Sequence, residues 1–291
     1  MNDSSPHLLT LAQVEGYLRD NHRNVESLLG AYHATMDKSL LAEAKEKFPN
    51  DPRVDFAAAT QPYISPEEHR QWLDALKKSA PDSALPDFLS ASDYFKSGRT
   101  DLALQEVQAA ANKPLQDYQL DFMQNAEEAY QAAGYSGTEA KMIASMDLLL
   151  PEMSAYKSVG VGLVDLAASY QQAGDSASAQ ASLQFAMNLG QQINDADSLT
   201  LIQTLVGIAV EKKALSAMDP NGVYGADDQT VQSQLDALAQ QRNSIRTLVN
   251  QWNAIAPFMS DQDLAIYVDR RWRFGEQAAM QWAVAKYGQQ Q

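Results

Sequence analysis

Apolar residues recur along this chain at three- and four-residue steps, and valine and threonine nowhere gather into alternating, strand-like runs. The clearest stretch is 161–190, VGLVDLAASYQQAGDSASAQASLQFAMNLG, where Leu163, Leu166 and Tyr170 fall on one face of an amphipathic helix. Gly174 ends that helix, because glycine enters the left-handed region that a helix end often needs. Asp175 or Ser176 then caps the next helix by accepting backbone N–H groups. The second helix carries the small Ala179 and Ala186 with the bulkier Leu183 between them, a spacing that lets two antiparallel helices approach closely. The pattern predicts a helical hairpin.

The same reading extends in both directions. Leu8 to Asp20 and Val25 to Met36 form two short helices joined through Asn21–Asn24, and Ser39 to Phe48 a third. Pro49-Asn50-Asp51-Pro52 stops the third, since neither proline continues a helix, and the chain restarts at Val54. Ser65-Pro66-Glu67-Glu68 is a helix start: a capping serine, proline in the first turn, acids near the positive helix end. Trp72, Leu73 and Leu76 supply its apolar face. Pro81-Asp82-Ser83-Ala84 opens another hairpin, a further one starts near Leu120, and Pro151 separates it from the stretch above. Gly160-Val161-Gly162 is expected to let the start of the 161–190 hairpin pack closely. Beyond it lie a long helix from Ser198 to Met218 with Leu201, Ile202, Leu205, Ile208 and Leu215 as its apolar face, and the loop DPNGVYGADDQ. A polar helix from Thr230 to Ile255 follows, broken at Pro257, then a last segment from Ser260-Asp261 to about Gly288.

These hairpins resemble tetratricopeptide repeats, whose unit is ~34 residues of helix–turn–helix. With Gly160 as the first position, Leu166, Ala167, Tyr170, Gly174, Asp175, Ala179 and Ala186 match the family's preferences. With Ala84 first, Ala91, Tyr94, Gly98 and Ala103 match and Ala110 follows, while Asp87 stands where a bulky residue is preferred, leaving Phe88 or Leu89 to fill that corner. A third unit near Leu120 has Tyr130 and Gly134 in place, Glu127 where a small residue is expected, and Ala140 one position late. The resemblance covers 84–190 well, 1–83 loosely, and is absent from 191 onward. It implies an all-α fold: a right-handed α-solenoid over 1–190 and longer capping helices over 191–291, because the last hairpin of a stack needs its apolar face covered. It also implies equivalent places for Tyr94, Tyr130 and Tyr170 in successive layers. The chain further resembles bacterial proteins in which a helical-repeat region follows a membrane anchor, so an envelope-exposed fragment is one expectation for its location.

Composition narrows the function. Glycine and proline are sparse, 14 and 11 in 291 residues, which favours helix throughout. A net charge of −15, from 37 acidic and 22 basic residues, repels polyanions, so neither nucleic acid nor an anionic membrane surface is an expected partner. Without cysteine there is no disulfide, thiolate zinc site or cysteine nucleophile. No run reaches the ~20 apolar residues of a membrane span. The opening MNDSSPHLLT has no basic or apolar signal-peptide region.

No catalytic residue, cofactor or metal ligand is expected. His7, His22, His33 and His69 include no pair at the spacing of a helical zinc motif. His69 follows Glu67 and Glu68, but consecutive helical residues diverge. Asp219-Pro220-Asn221-Gly222 with Asp227 and Asp228 faintly resembles a calcium loop, yet lacks the alternating third ligand and the distal glutamate. An Asn-Gly turn, with Asp227 or Asp228 capping the helix at Thr230, accounts for it better. The adjacent acids Glu127 and Glu128 also diverge on a helix.

Two surfaces are candidates for a partner. In tetratricopeptide hairpins the first helix lines a concave groove, and the resemblance places there Phe88, Ser92, Phe95 and Lys96, then Gln124, Asn125, Glu128 and Gln131, then Asp165, Ala168, Gln171 and Gln172. Amides and acids do not make a carboxylate clamp; a neutral or basic extended segment, or a helix, suits them. The second is the basic cluster Arg270, Arg271 and Arg273 beside Trp272, Phe274 and Trp282. Val268, Trp272, Gly275, Ala279 and Trp282 share a core-facing side there, leaving the arginines to pair with the acidic body or to meet a partner. The expected function is a non-enzymatic scaffold that binds a protein or peptide of unknown identity. The alternatives are an oligomerisation module or a helical α/α carboxylate-dependent hydrolase or lyase.

Overall fold

The computed structural model describes residues 9–116, 118–146, 150–195, 198–224 and 229–288. Among these there is no strand, only one isolated bridge between Val223 and Thr230. The helices are α1 (Leu11–Asp20), α2 (Val25–Thr35), α3 (Lys38–Lys47), α4 (Pro52–Ala59), α5 (Pro66–Ser79), α6 (Leu85–Lys96) and α7 (Thr100–Ala110). Then come α8 (Gln119–Ala132), α9 (Gly137–Met146), α10 (Pro151–Gln172), α11 (Ser176–Ile193), α12 (Leu201–Leu215), α13 (Val231–Ile255) and α14 (Asp261–Tyr287). Their limits follow side-chain chemistry. Asp51 caps α4 just before Pro52, Ser65 Oγ accepts the Glu68 N–H at 3.1 Å, and Asp175 accepts the Ser178 N–H at 3.0 Å. Thr230, rather than an aspartate, caps α13 by accepting the Ser233 N–H at 3.2 Å; Asp227 and Asp228 lie outside the described residues.

Three turns share one backbone. Gly98, Gly134 and Gly174 have φ of +74°, +99° and +80°. Each follows a tyrosine by four residues, and that tyrosine's carbonyl accepts the N–H of the residue after the glycine. The distances are 2.9 Å for Arg99 to Tyr94, 3.2 Å for Tyr135 to Tyr130 and 2.9 Å for Asp175 to Tyr170. A Cβ on any of these glycines would meet nothing within 4 Å, so conformation and not crowding requires them. The tyrosine side chains differ more: Tyr130 is buried, Tyr94 and Tyr170 half-buried.

The helices gather into two compact units that interleave along the chain. The first takes residues up to 82 together with 116–150, and the second takes 83–115 together with 151–291. The expected boundary at 190/191 falls inside α11, within the second unit.

In the first unit α2 packs against α1, α3 and α8, α8 pairs with α9, and α4 joins α3 to α5. Gly30 is where α8 comes closest to α2: a Cβ there would overlap the Asn125 carbonyl. Leu18, Leu28, Leu29, Leu41, Leu73, Leu76 and Tyr130 are fully buried. Complete burial of a leucine is worth about 1.5–3 kcal/mol.

In the second unit, hairpin α6–α7 stacks on hairpin α10–α11, which stacks in turn on α12, followed by α13 and α14. The hairpins that open at Ala84 and Gly160, separated in the sequence by the one near Leu120, are therefore direct neighbours. Phe88 meets Tyr156 edge-on at 5.9 Å, and the Phe95 ring lies over Gly162, where a Cβ would be 2.7 Å from the ring. Gly160 admits Val210 of α12 equally closely, at 2.6 Å. Both glycines sit in the middle of α10, which begins at Pro151, so they serve helix crossings and not the start of a hairpin. Asp87, in the corner expected for a bulky side chain, is buried and paired with Lys113 at 2.6 Å, and Phe88 and Leu89 are buried beside it.

α14 is two helical arms. At Gly275 the backbone takes φ +82° and ψ +163°, and the chain folds back on itself.

Candidate binding surfaces

The expected groove positions divide by burial. Phe88, Ser92 and Asn125 are 3%, 2% and 6% exposed, so they belong to the packing and not to an open groove. Phe88 is used against Tyr156, and Asn125 lies at the α2–α8 crossing, where its carbonyl accepts the Tyr17 hydroxyl at 3.4 Å. Phe95 is half-buried and Gln171 is exposed. In the first unit Gln124, Glu128 and Gln131 are exposed at helical steps along α8, and Gln131 Nε2 donates to Glu127 at 2.6 Å. That hydrogen bond explains how Glu127 is accommodated where a small residue was expected. In the second unit Lys96 of α6 and Asp165, Ala168 and Gln172 of α10 are exposed, on helices brought together by the Phe95–Gly162 contact.

The arginine cluster is largely engaged within its own helix. Arg270 lies 5.1 Å from the Trp282 ring and 5.9 Å from that of Phe274, and Arg271 is 3.6 Å from Glu276. Glu276 also accepts the Leu201 N–H at 2.9 Å, tying the second arm of α14 to the start of α12. Arg273 is exposed, beside an exposed Phe274. Val268, Gly275 and Ala279 are buried as expected, whereas Trp272 and Trp282 are half-buried.

The surface that the sequence reading missed is on α12. Periodicity predicts Ile202 and Leu205 as part of its inward face; in the structure they point the other way. Ile202 is 49% exposed, Leu205 and Val206 are half-buried and Ala209 is exposed. Leu201, Ile208 and Leu215 are buried as predicted, and Gln203, Thr204, Gly207, Val210, Glu211 and Ala214 are buried beside them. Gln203 and Glu211 have partners there. Gln203 Oε1 accepts the Thr200 N–H at 3.0 Å in a capping box. Glu211 accepts from Asn194 Nδ2 at 3.0 Å, although burial still raises its pKa. The shift of the buried face comes from two glycines: α11 crosses α12 at Gly190 and Gly207, and a Cβ on Gly207 would sit 2.6 Å from the Gly190 carbonyl oxygen. With that face committed to α11, Ile202, Leu205, Val206 and Ala209 are left toward solvent.

Leu205 and Ala209, with the more deeply set Ile208, line a cleft of about 780 Å³ between α10, α12 and α13. Val164, Leu205, Ile208, Ala209 and Ala217 give it an apolar floor; Lys212, Lys213 and Arg242 stand at its rim with Ser216. Lys213 is 3.8 Å from Asp165 of α10. The sequence signal for this surface was the run LIQTLVGIAV, with only two polar positions, running directly into Glu211-Lys212-Lys213.

No group of three or more histidine, aspartate or glutamate side chains is placed to hold a metal ion among the described residues. None of the described helices is long and apolar enough to cross a membrane. Compared with protein-family models, curated proteins and solved structures, the chain matches none.

Proposed function

We propose that this chain is a non-enzymatic scaffold whose hairpins, tetratricopeptide-like and stacked with a right-handed sense, offer their first helices to a protein or peptide. The observation that carries this reading is the packing of α6 on α10. It sets the first helices of two hairpins side by side, with Lys96, Asp165, Ala168 and Gln172 emerging into water on neighbouring elements. The exposed row Gln124, Glu128 and Gln131 on α8 is a surface of the same kind. Amides supply hydrogen bonds in both directions and the acids favour a basic or neutral segment over an acidic one. A peptide library selected on the immobilised protein tests this. Selected peptides should carry net positive charge, bind one to one, and lose about tenfold in affinity to Asp165→Lys or Glu128→Lys. Selection of no peptide, or unchanged affinity in both variants, would overturn the reading.

A further inference from the structure

The cleft between α10, α12 and α13 calls for a ligand of a different chemistry from the segment proposed for α8 and α10. Its floor is apolar side chain from two helices, Val164 of α10 with Leu205, Ile208 and Ala209 of α12. Its volume of about 780 Å³ falls in the range of small-molecule pockets, roughly 300–1,000 Å³. The charge at its rim is the opposite of the molecule's: Lys212, Lys213 and Arg242 gather here in a chain whose net charge is −15.

We propose that this cleft binds a free amphiphile with one carboxylate head and an acyl tail. The tail lies along the apolar floor and the head meets the cationic rim. Asp165 stands 3.8 Å from Lys213 and offsets one of the three cations, which leaves Lys212 and Arg242 to hold a carboxylate head between them. A polyacidic peptide or an anionic bilayer has to approach the whole acidic body, whereas a ligand with one charge needs only the local field. An uncharged apolar ligand leaves the cations unused.

The test is calorimetric titration of the full chain with dodecanoate and with dodecanol, both below the concentration at which they aggregate. Two surface variants accompany it: Ala209→Trp, which fills the cleft from an exposed position, and the pair Lys212→Gln with Arg242→Gln. Lys213 is left intact to preserve its contact with Asp165, and thermal melts establish that both variants keep the parent fold. Dodecanoate should bind one to one and about tenfold tighter than dodecanol. The glutamine pair should lose about that factor for dodecanoate and leave dodecanol unchanged, and Ala209→Trp should lose both ligands. Equal affinity for the two compounds would overturn the role of the rim. Undiminished binding in a folded Ala209→Trp would overturn the site. An acidic amphipathic helical peptide that displaces dodecanoate at lower concentration would overturn the occupant.

Discussion

Asp263 and Tyr287 share a hydrogen bond of 2.6 Å although 24 residues separate them within one helical segment. A straight helix would hold them about 36 Å apart. Lys286 reaches the same carboxylate at 2.6 Å, and the Ser260 N–H donates to Tyr287 Oη at 3.2 Å. Lys286 first, then Tyr287, hold the Asp263 carboxyl below the usual carboxylate range. The closure depends on Gly275, whose φ of +82° and ψ of +163° are open essentially to glycine alone.

Gly275→Ala should therefore destabilise the second unit by about 2–3 kcal/mol in urea unfolding. Strain in the backbone adds to the approach of the new Cβ to the Ser198 carbonyl at 3.1 Å. Gly16→Ala is the matched control. It lies inside α1 with nothing within 4 Å of its Cβ, and should stabilise by up to about 1 kcal/mol.

The α11–α12 crossing makes a sharper demand. A methyl on Gly207 would meet Asn194 Cβ and the Gly190 carbonyl oxygen, each at 2.6 Å, and both belong to a closely packed neighbour. Gly207→Ala should cost about 3 kcal/mol, and hydrogen exchange should quicken along α12 more than along α6.

At the three shared turns the cost should be conformational and uniform. Alanine at Gly98, Gly134 or Gly174 is expected to lower stability by about 1–2 kcal/mol each, with asparagine recovering part of the loss because it tolerates the left-handed region. A loss at one turn several times that at another would mean that side-chain packing, and not the backbone, dominates there.

His33 gives the first unit a pH dependence. Its ring lies against Phe122 with centroids 4.2 Å apart, its Nε2 is enclosed without a hydrogen-bond partner, and burial lowers its pKa to about 4. The unfolded chain binds this proton near pH 6.5, so it holds more protons than the folded chain between there and pH 4. Stability is thus complete above pH 6.5 and falls as the pH drops, by at most about 3 kcal/mol for this residue. His33→Phe should flatten that part of the stability–pH curve measured by denaturant titration.

Local chemistry was legible in the sequence and long-range choice was not. The break at Pro49-Asn50-Asp51-Pro52, the cap at Ser65, the glycine turns and the cap at Asp175 depend on residues within a few positions of one another, and all are found. Which hairpin meets which depends on partners far along the chain, so the pairing of α6 with α10 had no local signature. Periodicity marked the apolar residues of α12 but not which side α11 would claim. Gly190 and Gly207 decide that by allowing backbone approach, and the polar Gln203 and Glu211 go inward with them. Gly160, Gly162 and Gly275 were visible as glycines, yet a helix crossing and a sharp fold-back leave the same mark in sequence as a helix end.

The most direct measurement of the scaffold reading is photo-crosslinking in the native cell, with a light-activated residue placed in turn at Gln131, Gln172 and Lys96, and at Leu102 for comparison. Lys96, Gln131 and Gln172 are exposed on first helices, whereas the partly exposed Leu102 sits on the second helix of its hairpin. The account predicts a discrete crosslinked protein from the first-helix positions and none from Leu102. Equal labelling from all four positions, or from Leu102 alone, would contradict it.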